Sequence, residues 1–193
     1  MSAAAEKKEL NAHIWDRHPD DWYVEPFWCS RRLFQEEAFD GGIWDPACGI
    51  GHVLYSAEAA GYPVTGSDIV CRSGYCEALF DFRTCERPRA RNIVSNPPFK
   101  DAEAFVRNAL TIADGKVVFL LPLSWLTGKK RSHFLQASPL RRVYVLSPRP
   151  SMPPGPVIEA GVKPGGGKKD FAWFVWERGY EGVPEIHFMR EEG

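Results

Sequence analysis

Apolar stretches of two kinds alternate along this chain, and each kind has its own period. Trp28 to Phe39 places Trp28, Leu33, Phe34 and Ala38 at helical spacing, which predicts a helix ended by Gly41-Gly42. Ile43 to Asp45 reads as a short buried strand, Pro46 to Gly51 as a tight glycine loop, and His52 to Ala60 as a helix stopped by Gly61. Pro63 to Asp68 is a second strand that ends in an acid. From Cys71 to Phe82 the pattern predicts a short helix and then a strand at Ala78 to Phe82. Asn92 to Val94 is a strand running into Asn96, and Ala102 to Ala113 is a helix striped by Phe105, Val106, Ala109, Leu110 and Ile112. Val117 to Leu121 is apolar without a break, as in a strand covered on both faces. Lys129 to Gln136 reads as a helix and Arg142 to Leu146 as a strand. Residues 147–169 are rich in Pro and Gly and read as a long loop. Asp170 to Glu177 and Glu185 to Met189 complete the set as strands. Strands alternating with helices predict an α/β fold around a mostly parallel sheet.

Composition narrows the class. With 193 residues, 44% of them hydrophobic, the chain is the size of one globular domain with a full core. No apolar run approaches the roughly 20 residues of a membrane span. Residues 1–19 lack the apolar centre of a signal peptide and read as an N-terminal lead-in. The five cysteines form no CxxC pair and have no His at zinc spacing, so they read as reduced thiols of a cytoplasmic protein. The net charge of −1 does not mark the whole chain as a polyanion binder. Basic residues nevertheless concentrate late, at Lys129-Lys130-Arg131, Arg141-Arg142, Arg149, Lys163 and Lys168-Lys169, which leaves room for a local basic face.

The unusual polar residues stand where ligands bind in such sheets, at the carboxyl ends of strands: Asp45, Asp68, Asp81 and Asn96. Asn96-Pro97-Pro98-Phe99 is a stiff turn, because both prolines have a fixed φ and no N–H. Its free carbonyls, the Asn96 side chain and the flat Phe99 ring suit a planar heterocycle that carries an amine. Asp45-Pro46-Ala47-Cys48-Gly49-Ile50-Gly51 has a GxG spacing without the third glycine of a dinucleotide fingerprint. Its leading acid disfavours pyrophosphate and favours a cation. Asp68 follows at about the spacing of an acid that binds ribose hydroxyls. Asp81-Phe82 can take an adenine amine and flank its ring. A ligand with a cationic end, a ribose, an adenine and no phosphate is S-adenosylmethionine rather than NAD or ATP.

On these residues the chain resembles Rossmann-like, S-adenosylmethionine-dependent amino-methyltransferases, most of all the DNA adenine-N6 methyltransferases. Asp-Pro-Ala-Cys-Gly-x-Gly is similar to their cofactor loop and Asn-Pro-Pro-Phe to their catalytic motif. Trp22-Tyr23-Val24-Glu25-Pro26 stands where the family has Tyr-x-Thr-Pro, with Glu25 in place of Thr. The motif order resembles the gamma arrangement, over roughly residues 20 to 146. The resemblance implies a class I methyltransferase fold in a single domain, with helices on both sheet faces and an antiparallel C-terminal strand. It implies that Tyr23, Pro26, Asp45, Pro46, Cys48, Gly49 and Gly51 serve the methionine end of the cofactor. Asp68 would hold its ribose, and Ile69, Asp81 and Phe82 its adenine. Asn96 and the Pro97 carbonyl would accept the target amine's hydrogens, with Pro98 stiffening the turn and Phe99 stacking on the base. No metal is required. Lys100, beside the motif, and Arg149 and Met152, in the 147–169 loop, are candidate substrate contacts.

The expected partner is DNA, with its target adenine flipped from the stack. Only the 147–169 loop interrupts the catalytic fold, so short or relaxed sequence specificity is expected, as for a stand-alone enzyme of a phage or mobile element. Two rivals share the motif: RNA base methyltransferases, acting on guanine N2 or adenine N6, and protein-glutamine methyltransferases. A catalytically dead DNA-binding module is a third.

Overall fold

The computed structural model describes residues 18–163 and 165–192; most of the expected N-terminal lead-in, residues 1–17, lies outside them. Eight strands form one sheet: β1 (Ile43–Asp45), β2 (Val64–Asp68), β3 (Cys76–Leu79), β4 (Asn92–Ser95), β5 (Lys116–Pro122), β6 (Leu140–Ser147), β7 (Phe171–Glu177) and β8 (Glu185–Arg190). Their spatial order is β3-β2-β1-β4-β5-β7-β6-β8. Neighbouring pairs are parallel except those of β7, which runs antiparallel to both β5 and β6. The helices are α1 (Phe27–Glu36), α2 (His52–Ala59), α3 (Ala102–Ile112), α4 (Lys129–Ala137) and the short α5 (Gly155–Glu159).

Strand alternation sends side chains to two cores, one on each face of the sheet. Val94, Val118, Leu120, Trp173 and Val175 meet Trp28, Leu33 and Phe34 of α1 and Val53, Leu54 and Ala57 of α2. Trp44, Ile93, Phe119, Phe174 and Trp176 meet Phe105, Val106 and Ala109 of α3 and Leu135 of α4. Trp44, Trp173 and Trp176 are wholly buried, and each indole N–H has an acceptor: Ser67 Oγ at 2.9 Å, the Cys29 carbonyl at 3.0 Å and Ser138 Oγ at 3.0 Å. At the far end of the sheet the buried Glu37 carboxylate accepts from Lys116 Nζ, from Arg142 Nη1 at 3.0 Å and from the Tyr144 hydroxyl at 2.8 Å. This ties α1 to β5 and β6.

Three expectations change. β3 starts at Cys76 and ends at Leu79, earlier than the expected Ala78 to Phe82, and no helix precedes it. Asp81 therefore follows the strand. Its side chain accepts from Arg83 N at 2.9 Å and caps a 3-10 turn at Phe82–Thr84 instead of extending the ladder. The Pro/Gly-rich 147–169 segment contains α5, whose first turn accommodates Pro156 because the N–H groups there have no helical acceptor. A second 3-10 turn, Leu123–Thr127, follows β5 and buries Trp125. Among the described residues no helix is long and apolar enough to cross a membrane.

Candidate active site

The carboxyl ends of β1, β2 and β4 open into a cleft roofed by residues 20–25. The roofing segment is held from three sides. Trp22 O accepts from Gly155 N at 3.1 Å, and Val24 N donates to Pro153 O at 3.0 Å. An Asp21 carboxylate oxygen accepts from Lys100 N at 2.8 Å. The Arg72 guanidinium covers the Trp22 ring at 4.4 Å and pairs with Asp20 at 2.6 Å. Gly155 is obligatory for this closure, since a Cβ there would fall 2.1 Å from the Trp22 ring.

On the floor, the glycine loop turns into α2 at Gly51, whose φ of +91° favours glycine. Asp68, at the end of β2, accepts from Gly49 N at 2.8 Å and from Ile69 N at 2.7 Å, which locks the loop to the strand. Asp45 is 2% exposed and accepts from Ser95 Oγ at 2.6 Å and Ala47 N at 3.0 Å. Burial pushes its carboxyl well above the usual range, and the nearby Glu25 and Asp68 charges add to this against the opposing hydrogen bonds. Burial likewise raises the Cys48 thiol.

The centre of the cleft is Asn96, directly after β4. Its Nδ2 donates to the Tyr23 carbonyl at 2.9 Å and to Glu25 Oε2 at 2.8 Å. Both neighbours are acceptors, so the reversed amide would set oxygen against oxygen. Its Oδ1 is therefore the free end, and this buried atom has no hydrogen-bond partner. An unpaired buried acceptor beside a cleft is costly unless a ligand satisfies it. Glu25 is itself 5% exposed and accepts from Ser30 Oγ at 3.0 Å through its other oxygen. Burial raises its carboxyl, against the attraction of His52 and the hydrogen bonds from Asn96 and Ser30.

Of the residues expected from sequence, Tyr23, Asp45, Pro46, Cys48, Gly49, Gly51, Asp68, Ile69, Asp81, Phe82, Asn96 and Pro98 line the cleft. Phe82 is wholly buried between Trp44 and Phe105, so it forms floor rather than a free ring. Asp81 is held by Arg83, whose hydrogen bonds keep its carboxyl below the usual range. Phe99 lies outside the lining, parallel to Tyr23 at 6.0 Å and packed on Phe171 at 5.4 Å. Pro26, Pro97, Lys100, Arg149 and Met152 do not line it either. Lys100 Nζ donates to Pro19 O, Arg149 pairs with Asp170 at 2.6 Å, and Met152 packs on the α1 core. Trp22, His52, Arg72, Ser95 and above all Glu25 carry site geometry that sequence reasoning left unassigned. The available signal was a lone acid within an otherwise apolar, aromatic segment, Trp22 to Trp28.

No protein-family model and no curated protein matches the chain. Solved structures do. A candidate RNA methyltransferase of Pyrococcus horikoshii aligns with a TM-score of 0.59 at 13% identity, over 91% of this chain and 98% of that one. The modification subunit of a candidate type I restriction enzyme from Vibrio vulnificus gives 0.59 at 13% identity, over 97% of this chain and 50% of that one. The type I restriction enzyme EcoKI M protein gives 0.58 at 15% identity, over 82% of this chain and 44% of that one. The chain thus spans about half the length of these two subunits or less. At such identities the likeness is one of fold: this is a Rossmann-like class I methyltransferase fold with one reversed strand, β7, near its C-terminus.

Proposed function

We propose that the protein is an S-adenosylmethionine-dependent methyltransferase acting on the exocyclic N6 amine of adenine in DNA. The observation that carries this reading is the buried, unpartnered Oδ1 of Asn96, with both Nδ2 hydrogens already donated elsewhere. That atom is an acceptor in search of an N–H donor.

The cleft suits the cofactor by its donor set. Asp45, Asp68 and Glu25 are three buried acids that favour a cationic ligand and repel phosphate. Asp68 stands ready for ribose hydroxyls, Ile69 (55% exposed) for the adenine face, and Asp81 for the adenine amine. When bound, this cofactor supplies an electrophilic methyl group on a positively charged sulfur. Asn96 Oδ1 accepts one hydrogen of the target amine and the Pro97 carbonyl the other, which leaves the nitrogen lone pair free to attack. The Asn96 amide is no base, so the alkylated nitrogen loses its proton to water. Tyr23, backed by the parallel ring of Phe99, forms the aromatic wall for the flipped base.

A polyanionic substrate is supported by charge placement. Lys129 and Lys130 open α4, and Lys168 and Lys169 precede β7, so all four stand at the active-site edge of the sheet. Among the described residues none of them pairs with a carboxylate, whereas Lys116, Arg141 and Arg178 at the opposite edge all do. RNA is the second reading, favoured by the Pyrococcus horikoshii structure, whose whole length this chain matches. Purified protein given labelled methyl donor with DNA, RNA and protein side by side separates these. Label in DNA that vanishes in Asn96→Ala supports the proposal; label confined to RNA replaces it with the second reading.

A further inference from the structure

We propose that Glu25 is the positioning residue of this site: its carboxylate, anchored by Ser30, holds the Asn96 amide so that Oδ1 meets the incoming amine. The inference rests on the methyltransferase reading of Asn96 and adds a residue that the resemblance does not supply, because the family has Thr at this place. A Thr hydroxyl is too short to do what Glu25 does here. Oε1 accepts from Ser30 Oγ at 3.0 Å and Oε2 from Asn96 Nδ2 at 2.8 Å. Each oxygen has its own donor, and only the ionised carboxylate accepts at both without rearrangement.

The contact has a geometric effect and an electronic one. Without Glu25, Nδ2 keeps only the Tyr23 carbonyl, and the amide is free to rotate out of register. With it, a charge-assisted bond pulls on the amide hydrogen and leaves more negative charge on Oδ1, which makes it a stronger acceptor for the amine. The groups that face the carboxylate come from every neighbouring element. They are Cys29 and Ser30 of α1, His52 of α2, Asp45 at the end of β1 and Asn96 after β4. His52 also binds the Glu25 main chain, Nδ1 to O at 2.8 Å. Of these only His52 favours the ionised form by charge. Burial opposes it and outweighs the rest, so Glu25 takes a proton at a higher pH than an exposed glutamate. A protonated Glu25 can serve only one of its two donors, and turnover should fall with it.

Two measurements test this. In steady-state methyl transfer, Glu25→Gln should lower kcat about tenfold and Glu25→Ala about a hundredfold, with cofactor KM held within about threefold. The acid limb of the wild-type kcat profile should lie above the ordinary carboxylate range and disappear in Glu25→Gln. A solely structural Glu25 would lower thermal stability yet leave that limb in place. Independently of turnover, the Asn96 side-chain NH₂ resonances, identified by their loss in Asn96→Asp, should shift with pH in the wild type and cease to shift in Glu25→Gln. An active wild type with both variants within about twofold in kcat, or pH-independent Asn96 resonances, would overturn the proposal. A wild type that methylates nothing sinks the methyltransferase reading instead, and the resonances still decide the Glu25–Asn96 contact.

Discussion

Asn96→Asp sets a second carboxylate against Glu25, and the structure states what this must cost. The new oxygen replaces an N–H donor 2.8 Å from Glu25 Oε2. Two unit charges at that distance repel by about 6 kcal/mol at an effective dielectric constant of about 20. The pair avoids this by keeping one proton, whose affinity rises by about four powers of ten over that of an isolated carboxyl. The folded variant then holds a proton that the unfolded chain releases, so its stability is greatest in acid and is lost as pH rises towards the raised value. The slope is about 1.4 kcal/mol per pH unit, or roughly 3–6 °C in Tm per unit for a chain of this size. Thermal unfolding of wild type and variant, side by side from about pH 5 to about pH 8, reads it directly. Because Asp45 and Glu25 both titrate in the wild type as well, the difference between the two curves isolates the additional shift that the new pair produces. Parallel curves would refute the reasoning, since they would mean that the two side chains do not touch.

Further expectations follow from other parts of the molecule. Glu37→Ala should cost about 3 kcal/mol, read by urea denaturation, because it removes the buried carboxylate that Lys116 and Arg142 share and leaves them only the longer contacts to Glu177 at 3.8 Å and Glu185 at 3.5 Å. Burial alone would raise the Glu37 carboxyl, but the hydrogen bonds from Lys116 and Tyr144 and the charges of Lys116 and Arg142 lower it below 4.5. Its contribution is therefore complete above that value and is lost as pH falls through the folded-state value, a loss that Glu37→Gln should not show. Asp68→Ala should weaken cofactor binding at least about tenfold by calorimetry, since it removes a charge-assisted acceptor worth about 1.5–3 kcal/mol and frees Gly49. Lys168→Ala combined with Lys169→Ala should weaken DNA binding and flatten its salt dependence by about 0.9 for each phosphate no longer neutralised. An unchanged slope in fluorescence anisotropy would move the phosphate-binding face elsewhere.

The parts of the molecule legible from sequence are those governed by local pattern. β1, β4, β5 and β7 stand out because each holds a short apolar run bounded by turn residues, whereas β2, with Val64 its one large apolar side chain, is marked by Gly61 before it and Asp68 at its end; the reversed β7 lies where a late strand was expected. Asp45, Asp68 and Asn96 were readable because each closes a strand and so falls on one edge of the sheet. Asp81 was harder to place, because whether an aspartate extends a strand or caps a turn depends on a competition over the next two residues. α5 was hidden by its prolines, which forbid a helix interior and yet suit a first turn. Glu25 was beyond reach for a different reason. A lone acid in an apolar, aromatic segment marked it as unusual, but its role exists only when Glu25 meets Asn96, and nothing local names that partner.

The most direct measurement of the central claim is the nucleoside composition of unmethylated DNA after incubation with the protein and S-adenosylmethionine. The account predicts N6-methyladenine from the wild type and none from Asn96→Ala, with both proteins binding the cofactor equally. Cofactor bound without methyl transfer to any polymer, or Asn96→Ala methylating as well as the wild type, would contradict it.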